Sequence, residues 1–291
     1  MQFVRHSNNP LITPASSPTI GNNINGPSVI RVPEWLPNPL GRYYMYFAHH
    51  NGKYIRLAYS NSLDGPWTIY EPGTLKLSQA RRFKRHIASP DVHVDHDNHQ
   101  IRMYFHGVAR GGRSQWTGMA FSTDGLYFKA LFRALGKYYF RVFEWGGAYY
   151  ALCKSWNSGV AELLRSADGV SRFEFGKTLL PGMCHCAVTV DGDELLVFFT
   201  RVGDAPERIL LSRINLTGDW KDWVASEPEE VLRPELPYEG ADLEIEASLS
   251  GATGRTHALR DPCIFEEEGD RHLFYSIAGE QGIAMASIKQ T

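Results

Sequence analysis

One aromatic-rich word recurs five times along the chain: RYYMYFAHH (42–50), QIRMYFHGV (100–108), GAYYALCKS (147–155), DELLVFFTR (193–201) and RHLFYSIAG (271–279). Ahead of each stands GPSVIRV, SPDVHVD, FRVFEWG, HCAVTVD or DPCIFEE, and a third apolar word follows each, from KYIRLAYS to QGIAMASI. Short runs rich in Tyr, Phe, Val and Ile, separated by Gly, Asp and Asn, read as antiparallel strands joined by turns. A fourth stretch, such as PWTIYEP or RFEFGKTLL, follows the third word in every copy but the last, where the chain runs out. The N-terminal FVRHSNNPLI can supply that missing strand and so remove an exposed sheet edge. The ordered cycle predicts an all-β fold: a five-bladed β-propeller of four-stranded antiparallel blades, with an N-terminal strand closing the last blade. A two-sheet sandwich has no need of such a cycle. Residues 1–291 then form a single domain, with one long insertion at about 226–256 between blades four and five.

Composition fits that reading and limits the function. Hydrophobic residues make up 43% of the chain and aromatics 12%, enough for a large core. A net charge of -2 argues against a nucleic-acid or membrane-surface partner. The opening MQFVRHSNNPLITP lacks a basic segment followed by an apolar run, so a cytoplasmic location is expected. Cys153, Cys184, Cys186 and Cys263 all sit in apolar strand words, which predicts reduced, buried thiols.

In a propeller the first strand of each blade lines the central channel, and the second strand ends at the mouth where the first begins. The residues before each first word and after each second word therefore meet there. That set is Asn25, His86, Ser89, Asp91, Arg141, His185, His257, Arg260 and Asp261, with His49, His50, His106, Lys154, Arg201 and Glu280 from the second strands.

RDPCIF and SPDVHV at the heads of inner strands, within five meander units, resemble the glycoside hydrolases of families 32, 43 and 117. The resemblance implies carboxylates at the channel mouth acting as base or nucleophile, as acid, and as a group that orients the sugar. Two departures are clear: where family 43 members carry an Asp-Pro pair in the first blade, this chain reads Asn25-Gly26-Pro27, and where the resemblance implies a Glu acid in the fourth blade it reads MCHCAV, with His185 at the equivalent spot. The remaining candidates for catalysis are Asp261, His185, Asp91 and Glu280. Arg260 is placed to hold Asp261 ionised, and the imidazole of His185 can give up a proton near neutral pH.

Arg260, Arg201, Lys154, Arg141, His86, His106, His49 and Asn25 are the candidate substrate contacts, with Trp156 for stacking on a sugar. The cations among them outnumber the acids, which suits an oligosaccharide with an acidic sugar. No cofactor is required by this chemistry, but His86, His185 and His257 could converge on a divalent metal ion in the channel. The insertion can cap the mouth, bringing Tyr238, Glu239, Asp242 or Glu244 to the substrate, or pack against a second copy to give a homodimer. Three functions stay open: a glycosidase, a lyase acting on a uronate-containing glycan, and a carbohydrate-binding propeller without catalysis.

Overall fold

The computed structural model describes residues 1–155, 159–249, 251 and 254–289. The chain opens with β1 (Gln2–Arg5). Blade one follows as β2 (Asn25–Arg31), β3 (Tyr43–Ala48), β4 (Tyr54–Ser60) and β5 (Thr68–Ile69), with β6 (Leu75–Lys76) also pairing β4. Blade two is β7 (Phe83–Asp95), β8 (Gln100–Ala109), β9 (Gln115–Ser122) and β10 (Lys129–Ala130), with β11 (Gly136–Lys137) also on β9. Blade three runs β12 (Arg141–Trp145), β13 (Ala148–Lys154), β14 (Val160–Ser166) and β15 (Glu174–Pro181). Blade four runs β16 (Met183–Asp191), β17 (Glu194–Arg201), β18 (Ile209–Asn215) and β19 (Glu229–Leu232). Blade five is β20 (Arg260–Glu267), β21 (Asp270–Ser276) and β22 (Ile283–Lys289), completed by β1.

The molecule is thus the five-bladed, all-β propeller that the word cycle predicts. Closure also takes the expected form: β1 pairs antiparallel with β22, Gln2 opposite Lys289 and Arg5 opposite Ala286. Among the described residues no helix is long and apolar enough to cross a membrane, and all four cysteines are free and buried.

The second strands read as continuous apolar runs because a blade is covered on both faces. β3, YYMYFA, is buried at every position. Five hydrophobic clusters fill the five seams between neighbouring blades, for example Phe143, Leu152 and Leu163 against Met183, Val197 and Phe199 between blades three and four.

The Asp-Gly turns lock those seams. Ser122 Oγ accepts the Gly125 N–H at 2.9 Å and Asp124 Oδ1 accepts two more amides. The Gly125 carbonyl is then free to take the hydroxyl of Tyr46 from blade one at 2.8 Å. Blade three repeats the device, with the Gly169 carbonyl accepting from Tyr104 of blade two.

At the heads of four inner strands the ladder slips. Register shifts fall between Asn25 and Ser28, Ala88 and Asp91, Met183 and His185, and Arg260 and Cys263. The first, second and fourth each hold a residue in the left-handed region directly before a proline: Gly26 at φ 60°, Ser89 at 47° and Asp261 at 44°. Such bulges re-aim side chains, and for non-glycine residues the conformation costs about 1–3 kcal/mol. This is the structural meaning of the Arg-Asp-Pro word: the bulge sends Arg260 and Asp261 to different partners.

Candidate active site at the channel mouth

A cavity of about 220 Å3 opens where the inner strands begin. Asn25 and His50 come from blade one; His86, Ser89, His106 and Gln115 from blade two; Tyr138, Tyr139 and Lys154 from blade three. His185 of blade four and Asp261 and Glu280 of blade five complete the ring, with Gly251 of the insertion.

Asp261, 2% exposed, is the centre of the arrangement. Its Oδ1 accepts from the Tyr139 hydroxyl at 3.2 Å and lies 3.6 Å from His185 Nε2, while Oδ2 has only a long contact to Ser276 Oγ at 3.4 Å. The other nitrogen of His185 faces Glu207 Oε1 at 3.6 Å, and Thr200 Oγ1 donates to that same oxygen at 2.6 Å. Burial alone would pull the His185 imidazole down. The carboxylate of Asp261, the thiol of Cys184 and Glu207 outweigh that and push it up to about 10. His185 is therefore an imidazolium across the neutral range.

Glu280 is the opposite case. Burial would push its carboxyl up, but His50 at 3.4 Å, the Asn23 and Asn25 amides at 2.7 Å each, and the His185 charge hold it down to about 2. With its oxygens so engaged, Glu280 is a fixed negative charge more than a proton carrier.

Arg260 does not pair with Asp261, contrary to the sequence expectation. Adjacent residues of a strand point apart, and Arg260 Nε reaches Glu207 Oε2 at 2.7 Å while Nη1 lies 3.7 Å from Glu280. The same guanidinium donates to the Gly251 carbonyl at 2.8 Å and the Leu249 carbonyl at 3.2 Å. It thereby ties the insertion to the floor of the site.

Not every candidate converges. Asp91 is taken up as a clamp between blades, its Oδ2 accepting the Val142 N–H at 2.8 Å and His93 Nε2 at 2.9 Å. It lines a separate cavity in the other half of the channel, together with Arg141. The Arg141 guanidinium lies 4.3 Å from the Tyr139 ring centre and donates to the carbonyls of Cys186 and Phe140. Arg201 pairs with Asp204 at 3.3 Å, and His49 Nδ1 accepts the Asn51 amide within a turn. His257 sits behind Glu207 in a second cavity of about 260 Å3, its Nδ1 at 3.0 Å from the Leu243 carbonyl. Trp156 lies outside the described residues.

The expected metal trio of His86, His185 and His257 is thus not assembled, since His257 faces a different cavity. Two other triplets do bring donors within 4.8 Å of one another: Cys184, His185 and Glu207, and His185, Asp261 and Glu280. As they stand they do not fit a dication. Nε2 of His185 is already directed at Asp261, and Arg260 already neutralises Glu207 and Glu280.

Sequence reasoning missed Glu207, Asn23, Gln115, Tyr138 and Tyr139. The aromatic pair directly precedes the Phe140-Arg141 strand start, a place where it could have been counted with the rim. Glu207 heads the third strand of blade four, a position the rim rule ignores. In the insertion, Glu239 does not approach the mouth: fully buried, it accepts from Arg5 Nε at 2.8 Å and the Tyr275 hydroxyl at 2.9 Å.

Solved structures place this architecture in a class. CoXyl43, a GH43 β-xylosidase/α-arabinofuranosidase from a compost microbial metagenome in complex with xylotriose, matches at TM-score 0.63 and 11% identity over 92% of each chain. A GH43 enzyme from Xanthomonas citri matches at 0.64 and 12% identity, over 92% of this chain and 89% of that one. An N-acetylgalactosamine deacetylase from F. plautii, in complex with blood group B trisaccharide, matches at 0.62 and 11% identity, over 93% and 90%. The chain is a divergent five-bladed propeller with the fold of the GH43 glycoside hydrolases. No protein-family model matches it. It is 37% identical over 302 aligned positions to the uncharacterized protein R118 of Acanthamoeba polyphaga mimivirus, covering 91% of this chain and 83% of that protein, and it belongs to the same family.

Proposed function

We propose that the protein is a glycoside hydrolase-type enzyme acting on a glycosidic bond of an oligosaccharide. The observation that carries this reading is the convergence of His185, Asp261 and Glu280 in one cavity, each with a polar atom within 4.8 Å of the others. In this scheme the His185 imidazolium gives its proton to the leaving oxygen as the glycosidic C–O bond breaks. Asp261, the less encumbered carboxylate, attacks the anomeric carbon, and water then displaces it, returning a proton to His185. Glu280, held ionised, stabilises the positive charge that develops on the ring.

The cavity, at about 220 Å3, is smaller than the roughly 300–1,000 Å3 of drug-sized sites, which favours a single sugar residue bound at a chain end. Two carboxylates at the mouth favour hydrolysis over elimination. The GH43 structure with xylotriose adds fold-level support for a glycan ligand. The acidic-sugar preference rests on fewer cations than the sequence offers, because Arg141, Arg201 and Arg260 do not line the cavity. Lys154 does, and its surroundings are taken up below.

The test is a panel of oligosaccharides and aryl glycosides scored for reducing ends and, separately, for the ultraviolet absorbance of an unsaturated product. Hydrolysis that is lost in Asp261→Asn and Glu280→Gln supports the reading. An unsaturated product would replace it with a lyase, and binding without turnover with a carbohydrate-binding propeller.

A further inference from the structure

Across the ring from blade five lies the seam between blades two and three, and there the cavity wall changes character. Lys154 is 8% exposed, yet among the described residues no salt bridge within 4.0 Å reaches its ammonium. Its neighbours are Cys184 Sγ at 3.6 Å and the faces of Tyr138 and Tyr139 at 5.7 and 5.9 Å. The thiol, the π faces and the more distant Asp261 carboxylate favour the charge despite burial, but none of them is the close, paired carboxylate a buried ammonium ordinarily has. Beside it His106, also 8% exposed, packs on the same Tyr138 ring, and among the described residues no hydrogen bond engages its imidazole. Both line the cavity.

We infer that Lys154 and the imidazole of His106 form a subsite for a carboxylate carried on the sugar, so that the enzyme takes a uronic acid residue. The inference rests on the glycan reading above. Lys154 supplies a compact charge to one carboxylate oxygen, and the imidazole of His106, in its Nε2–H form, donates to the other. Burial and the charges of His86, His50 and Lys154 keep His106 neutral, so it adds a hydrogen bond without a second charge. One ammonium matches one carboxylate. A doubly charged phosphate would instead add repulsion to a cavity that already holds Asp261 and Glu280.

Calorimetric titration of the full-length protein with glucuronate and galacturonate, each against its methyl ester, tests the subsite without requiring turnover. The free acids should bind about tenfold more tightly than the esters, equivalent to ~1.4 kcal/mol. Lys154→Met should erase that difference while leaving ester affinity in place. Equal affinity for acid and ester in the wild type, no binding of either, or an acid preference that survives in folded Lys154→Met overturns the inference. Should Lys154→Met not fold, the wild-type comparison decides by itself. Acid-selective binding with no hydrolysis would sink the hydrolase reading and keep this one; hydrolysis of neutral glycosides with no acid preference would do the reverse.

Discussion

Arg260 and Asp261 are neighbours in sequence with separate duties, and two substitutions separate them. Asp261→Asn keeps the side-chain shape, and asparagine tolerates the left-handed backbone at φ 44°. The variant should keep the fold but melt below the wild type, because buried His185 loses its nearest carboxylate, while turnover falls by about two orders of magnitude or more, the scale of a positioned proton-transfer group. Arg260→Ala instead leaves Glu207 and Glu280 buried without their shared cation. It should cost about 3–5 kcal/mol in a denaturant titration. Full activity in Asp261→Asn would move the chemistry away from this carboxylate. The sequence marked both residues as rim residues, because a charged pair before a proline at a strand start is visible in the letters. It could not show their partners. The bulge that parts them depends on how β20 registers with β21, and Glu207 reaches Arg260 only once blades four and five are side by side.

At the level of strands, the inner-strand heads and second-strand ends were legible, since each blade repeats the same apolar words. Nine rim candidates, among them Asn25, His50, His86 and Lys154, do face one cavity. Those that do not have different causes: Asp91 sits further along β7, whereas Arg141, the first residue of β12, turns its guanidinium to the Phe140 and Cys186 carbonyls. The outer strands were less legible. β5 and β10 are only two residues long, and β6 and β11 share the work of pairing β4 and β9. The edge strand β1 gives the sharpest prediction here. It covers β22, and Arg5 at its end is bound to buried Glu239. Deleting residues 1–15 should therefore uncover an apolar edge and strand a buried carboxylate, giving an aggregated or unfolded product by size-exclusion chromatography and circular dichroism. A truncated protein that stays monomeric and melts at the parent temperature would show that β1 is dispensable.

Over the whole molecule, the displaced ionisations of the site set how stability varies with pH. His185 titrates near 10 in the fold against 6.5 for an ordinary imidazole, so its contribution is complete below about pH 6.5 and is lost as pH rises towards 10. Glu280 titrates near 2 against 4.5, so its contribution is complete above about pH 4.5 and is lost as pH falls towards 2. Buried His106 is held well below the ordinary imidazole range, so the unfolded chain takes up its proton first and stability also falls as pH drops below about 6.5; melting temperature should peak near there and fall on both sides. His185→Gln should flatten the alkaline limb, and alkaline curves that superimpose for variant and wild type would contradict the assignment. The pairing of β1 with β22 has a further consequence, one of timing. β1 leaves the ribosome well before β22 yet finds its place only beside it, so four blades can form in order during synthesis while the fifth waits. Until Ile283–Lys289 arrive, the opening segment is an orphan strand, free to add itself to another molecule's sheet. The seam that makes the ring whole is also the step at which a crowded or slowly translated chain is most exposed to joining its neighbour.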